Sequence, residues 1–224
     1  MFRKLLEIFR KDNLMDRAYK RSFEMLDITR EMFLEAKVSL RQTEDNQVEI
    51  DIYDRDLEVN KFEREVRRHV FNHLAMGGTE KLPSGLILVS IIIDIERIGD
   101  LTKNMIELAL NHPEKLNGGR FENDLKRIED AVEDSFIRTR RCFENATEEC
   151  GKTLLSEYSW VNGACDQLLY SLVQEKDPDI KPGDAVSLAL YIRWLKRINS
   201  HLRNVVTGVV NPFDRIGFIP KEKT

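Results

Sequence analysis

Proline and glycine are scarce in this chain, six and eleven among 224 residues, and they gather at a handful of points. Between them run long stretches rich in Leu, Glu, Arg and Lys, all good helix formers, so the composition reads as mainly α. A basic surplus is also missing: charged residues make up 33% of the chain, yet the formal net charge is −4. That balance lacks the footprint of a nucleic-acid binder, and no nucleic-acid partner is expected. Cysteine is rare. Cys142, Cys150 and Cys165 are odd in number and form no CxxC pair, which argues against a disulfide framework or a zinc knuckle and leaves packed, reduced thiols.

No long apolar run marks a targeting or membrane segment. The N-terminal MFRKLLEIFRK is amphipathic, but Glu7 and Arg10 break its apolar part, against a signal peptide or a span. The expected location is the cytoplasm. Phe2, Leu5, Leu6 and Phe9 suit either a membrane surface or the cap of a bundle. Also absent are a GxSxG, a P-loop and a Gly-rich dinucleotide turn. The Glu-x-x-His tetrapeptide that a ferritin-like di-iron enzyme needs on two helices does not occur either.

What is present is helical periodicity over enough apolar residues, 42%, for a substantial core. Six helices are predicted. The first covers about 15–40, where Leu26, Thr29, Phe33, Ala36 and Leu40 share a face. The second runs from about Val48 to Ala75 and stops at Gly77-Gly78, and the third opens after Pro83-Ser84-Gly85 and ends before Pro113. The run Leu86 to Ile93 would suit a buried strand, but its apolar pattern continues through Ile95, Ile98, Leu101 and Met105 without a turn signal, which favours one long helix. Leu125, Ile128, Val132, Phe136 and Phe143 mark the fourth. The fifth is expected over about 152–174, and the sixth runs from an N-cap at Asp184 to the residue before Pro212.

Sliding the third helix forward by one hundred positions lays it on the sixth. Leu88 meets Leu188, Ile92 meets Ile192, Arg97 meets Arg197, Ile98 meets Ile198, Asn104 meets Asn204 and Asn111 meets Asn211. The expected architecture is all-α, two tandem pseudo-symmetric three-helix bundles, over 1–114 and 115–224.

Glu96, Asp100 and Asn104 fall along one stripe of the third helix, extended by Glu107. The second helix carries a matching stripe of Asp56, Asn60 and Glu63, followed by Arg67. Like charges one turn apart repel, so such stripes have a cation beside them. Two facing stripes can supply four carboxylates to a hard or borderline ion such as Mg²⁺, Ca²⁺, Mn²⁺ or iron. Alternatively they are solvated faces neutralised by Arg64, Arg67, Arg97 and Lys103. His69 and His73 fall on the opposite side of the second helix, and His112 and His201 have no evident partners, so all four are expected to be structural.

The runs DLEVNKFEREVRRHV, 56–70, and DIERIGDLTKNMIEL, 94–108, together resemble the paired signature of the PhoU family. The resemblance covers nearly the whole chain. It implies two three-helix bundles, a metal ion or small cluster reported as iron or zinc, and regulation of phosphate uptake rather than catalysis. It also implies a phosphate transporter or its sensor kinase at the membrane as partner. A metal with an open position would bind phosphate directly, and the many apolar positions of the third helix suit either a packed bundle or a homodimer contact. By the same resemblance Asp56, Glu63, Glu96 and Asp100 are the ligands, with Asn60, Asn104 and Glu107 in support. In the second bundle Lys196 and Ser200 replace Glu96 and Asp100, while Tyr158 and Cys165 stand against Asp56 and Glu63, so one metal site per chain is expected. The rival readings are a metal-dependent hydrolase or oxidase using the four carboxylates, and a metal-free helical adaptor.

Overall fold

A computed structural model describes residues 2–43, 48–76, 79–112 and 114–218, with residues 2–13 and 79 by backbone alone. Among these residues there are seven α-helices and no strand. Helix α1 spans Phe2–Arg41, α2 Ile52–Ala75, α3 Leu82–Asn111, α4 Glu122–Asn145, α5 Glu148–Glu157, α6 Ser159–Val173 and α7 Pro182–Val210. The side chains of Phe2, Leu5, Leu6 and Phe9, the Gly77-Gly78 stop and Pro113 lie outside the described residues.

Helices α1, α2 and α3 pack together, and α4, α5, α6 and α7 form a second group. The core is continuous between them, because α1 also packs on α4 and α3 on α7. Phe33 of α1 meets Phe136 of α4 with ring centroids 5.2 Å apart. Arg41, at the buried end of α1, donates to Glu129 at 2.8 Å and Glu122 at 2.5 Å of α4 and to the Leu116 carbonyl. The Leu86–Ile93 run is helical as expected, with Leu88, Ile91 and Ile92 fully buried between neighbours. Close approach of α7 to α3 is built on Gly208, where a Cβ would lie 2.9 Å from Ile91 Cγ2.

Five boundaries differ from expectation: α1 begins at Phe2 rather than about Met15, and the other four each have a local reason. Helix α2 begins at Ile52 rather than Val48, because the Asp51 carboxylate accepts from the Tyr53 and Asp54 amides and caps it. Helix α3 takes Pro83 into its first turn, where a missing N–H costs nothing. The expected fifth helix is two helices, α5 and α6, broken at Tyr158. Finally, Lys181 rather than Asp184 precedes α7, with Pro182 opening it. Asp184 accepts instead from His112 Nε2 at 3.1 Å, tying the end of α3 to the start of α7.

Candidate functional site

The candidate site lies where α2 faces α3. Val59 packs into the core opposite Gly99, where a Cβ would lie at ordinary contact distance, 3.4 Å from Val59 Cγ1. One helical step from these contacts, Asp56, Asn60 and Glu63 of α2 and Glu96 and Asp100 of α3 are all half-buried. Asn60 donates to Asp56 at 3.3 Å.

Lys103 joins the two helices. Its ammonium lies 3.0 Å from Asp56 Oδ2 and 3.4 Å from Asp100 Oδ1. Burial opposes the Lys103 charge, but the hydrogen bond and charge of Asp56, with the charge of Asp100, outweigh it and raise its pKa. Arg67 pairs with Glu63 at 2.7 Å, one turn along α2.

Glu96 is the carboxyl that these cations serve least. Its pKa is raised, first by burial and then by the charges of Asp100 and Glu63, with Asp56 contributing and Arg97 opposing. The four expected carboxylates thus share one electrostatic neighbourhood, where the negative charge exceeds the positive. Among the described residues, no group of three or more His, Cys, Asp or Glu side chains is arranged to hold a metal ion. Lys103 and Arg67 are the cations in contact with the stripes. The donor set is all oxygen, the chemistry of a hard or borderline cation, but as placed these carboxylates do not converge into a ligand cluster.

The remaining expected residues separate from this group. Glu107 accepts from the Tyr53 hydroxyl at 3.3 Å, toward the far end of α3, and Asn104 is half-buried between the two places. His73 is fully buried in α2, and burial lowers the pKa of His69.

In the second group of helices the corresponding residues make other contacts. Lys196 pairs with Asp166 of α6 at 2.6 Å, and Asn162 donates to Ser200 at 2.9 Å. Tyr158 donates to Asp134 and accepts from Arg138 Nη1 at 3.2 Å. Cys165 is buried. The histidines expected to stand alone do not: His201 Nδ1 lies 2.7 Å from Asp94, and Asn204 donates to the same carboxylate oxygen at 2.9 Å. The sequence signal for this contact is Asp94 itself, an acid set in the apolar first half of α3, since an acid in a core requires partners.

No helix among the described residues is long and apolar enough to cross a membrane. Residues 22–109, from within α1 through nearly all of α3 and thus including all four carboxylates, match the family model of the PhoU domain. Two solved structures share the fold. One is the phosphate transport system regulatory protein PhoU from Streptococcus pneumoniae, 13% identical, covering 91% of this chain and 95% of that one at a TM-score of 0.73. The other is PhoU from Pseudomonas aeruginosa, 18% identical, covering 92% of this chain and 96% of that one at a TM-score of 0.68. No curated protein matches the chain by sequence.

Proposed function

With a PhoU domain at residues 22–109 as premise, we propose that this chain is a non-enzymatic regulator of phosphate uptake and phosphate homeostasis, acting from the cytoplasmic side of the membrane. The observation that carries this reading is that the domain match contains the whole α2–α3 carboxylate group. The action is docking, to a phosphate transporter or its sensor kinase. The outward side of α2 suits a partner, because Tyr53, Leu57 and Phe71 are exposed there although large and apolar.

In this reading Asp56, Glu63, Glu96 and Asp100 take up a cation, iron or zinc by family resemblance or Mg²⁺, Ca²⁺ or Mn²⁺ by ligand chemistry. When bound, the cation supplies positive charge where Glu96 and Asp100 repel. Lys103 bridges Asp56 and Asp100 where such a cation would sit, and Asn60 orients Asp56 through its amide, so the residues that would hold the cation also join α2 to α3. The Lys103 bridge favours a second reading, a metal-free adaptor in which that lysine is the permanent counter-ion.

Phosphate uptake in cells lacking the chain tests the function. Uptake should be deregulated, restored by the wild-type chain and not by Asp100→Ala; unchanged uptake on deletion would remove the proposal. Elemental analysis of protein purified without chelator separates the two readings. Near-stoichiometric metal, lost in Asp100→Ala, supports the metal-loaded regulator, and metal absent from both supports the adaptor.

A further inference from the structure

The two facing-helix sites differ in sign. At the hundred-residue offset that relates α3 to α7 in sequence, Lys103 corresponds to Arg203. Both carboxylates that hold Lys103 are replaced: Ser200 stands at the position of Asp100 and Tyr158 at that of Asp56. The cation has been kept while its anions have gone. Tyr158 turns to Asp134 and Arg138, and Ser200 donates to the Lys196 carbonyl at 3.0 Å, so neither replacement serves Arg203.

Arg203 lines a cavity of about 320 Å³ together with Asn162, Ser200, Asn204, Thr207 and Phe218. Among the described residues, no acidic side chain lines that cavity. The guanidinium makes one long contact, 3.5 Å, to the Leu155 carbonyl, and no ion pair among the described residues. It is half-buried, and burial lowers its pKa with no neighbouring charge among those residues to offset the loss. The nearby cation Lys196 is already paired with Asp166, and the carboxylate behind Asn204, Asp94, is held by His201 and Asn204.

The rest of the wall is polar and carries two side-chain amides, with Asn204 Oδ1 on the Gly217 side. Each amide of Asn162 and Asn204 uses one N–H, toward Ser200 and Asp94, leaving a second. The segment after α7 folds back to form one wall of the cavity. Gly217 N donates to Thr207 Oγ1 at 2.7 Å, and Asn211 donates to the Phe218 carbonyl at 2.7 Å. A half-buried guanidinium with N–H groups to spare, flanked by amides and with no carboxylate among the described lining residues, fits a phosphate group better than a cation.

We propose that the α5–α6–α7 cavity around Arg203 is an oxyanion site that binds a phosphate group, free or carried on a small monoester, with Asn162 and Asn204 as supporting donors. This site is separate from the α2–α3 carboxylates and does not depend on their holding a metal. Its volume, at the lower end of ligand cavities, suits a small anion.

Isothermal titration at low ionic strength, in the presence of a chelator, tests it with inorganic phosphate and with glycerol 3-phosphate as separate probes. Saturable one-to-one binding of either is expected, and whichever binds more tightly identifies the source. Arg203→Gln should weaken it about tenfold or more, the loss of a charge-assisted contact. Ser200→Asp keeps the arginine but restores an internal counter-ion, and should weaken binding comparably. Circular dichroism shows whether each variant is folded, and Ser200→Asp still tests the site if Arg203→Gln is not. Absence of binding by both probes, or equal binding by the variants, would overturn the proposal. So would binding that appears only when metal is added, and that outcome would leave the regulatory reading of the α2–α3 site standing.

Discussion

Asp94 of α3 and His201 of α7 meet at 2.7 Å across the seam between the two groups of helices, and Asn204 completes the contact. Both acid and histidine are buried. Replacing Asp94 by Ala leaves an imidazole and an amide without their acceptor, an expected loss of about 1–3 kcal/mol. Urea unfolding of the variant beside wild type measures it. A loss well below this range would mean that water replaces the carboxylate.

Glu96 gives a prediction with a pH signature. A carboxyl whose pKa is raised in the folded state has its charged form disfavoured there, so it weakens the fold above that pKa and ceases to do so as pH falls through it. In chelated protein, Glu96→Gln should therefore raise the melting temperature at neutral pH, and the gain should fade toward about pH 4. Repulsion from Asp100, one turn away, accounts for about 0.2–0.5 kcal/mol of that gain. A variant less stable than wild type at neutral pH would show that Glu96 has a favourable partner.

The cysteine thiols separate by accessibility. Burial, reinforced by Cys150, pushes Cys142 up to about 12, and burial with the charge of Asp166 does the same to Cys165. At about pH 8 only about one part in ten thousand of either is thiolate, the reactive form. Brief iodoacetamide treatment of the native protein should leave both unmodified by mass spectrometry, while denaturant exposes all three cysteines. Rapid native labelling of Cys165 would mean that α6 opens from α7.

Much of the fold is legible in the sequence because apolar spacing directly records which side of a helix is buried. The Leu86–Ile93 run reads as helix because its pattern does not stop where a strand would. Ends are less legible, since a cap depends on which of several polar residues turns inward. Asp51 and Asp184 look alike in sequence, but one caps α2 and the other is taken by His112. The Tyr158 break has no glycine or proline to announce it. It is accompanied by the hydroxyl's attachment to Asp134 and Arg138 on α4. At the site, the carboxylate spacing is readable, whereas Lys103 as the bridge is one of four candidate cations.

Glu129 and Arg41 form another contact across the seam, both side chains buried. Glu129→Ala should cost about 3–5 kcal/mol, the penalty for a buried charge that has lost its partner, reduced to the extent that Glu122 takes over. Thermal and denaturant unfolding give the value. A neutral result would show that Glu122 alone suffices for the guanidinium.

The break at Tyr158 also sets a hierarchy of opening. It leaves α5 only ten residues long, below the length at which an isolated helix persists in water, so its order is borrowed from α7 through Gly151, Leu154 and Leu155. Its amide hydrogens should exchange with solvent through local excursions long before those of α3 or α7, which lie at the centre of the cooperative core. Arg203 touches α5 at the Leu155 carbonyl, so whatever quiets the guanidinium also slows that exchange. A short helix that comes and goes thus becomes the part of the molecule whose protection would report, from a distance, whether the cavity beside it is filled.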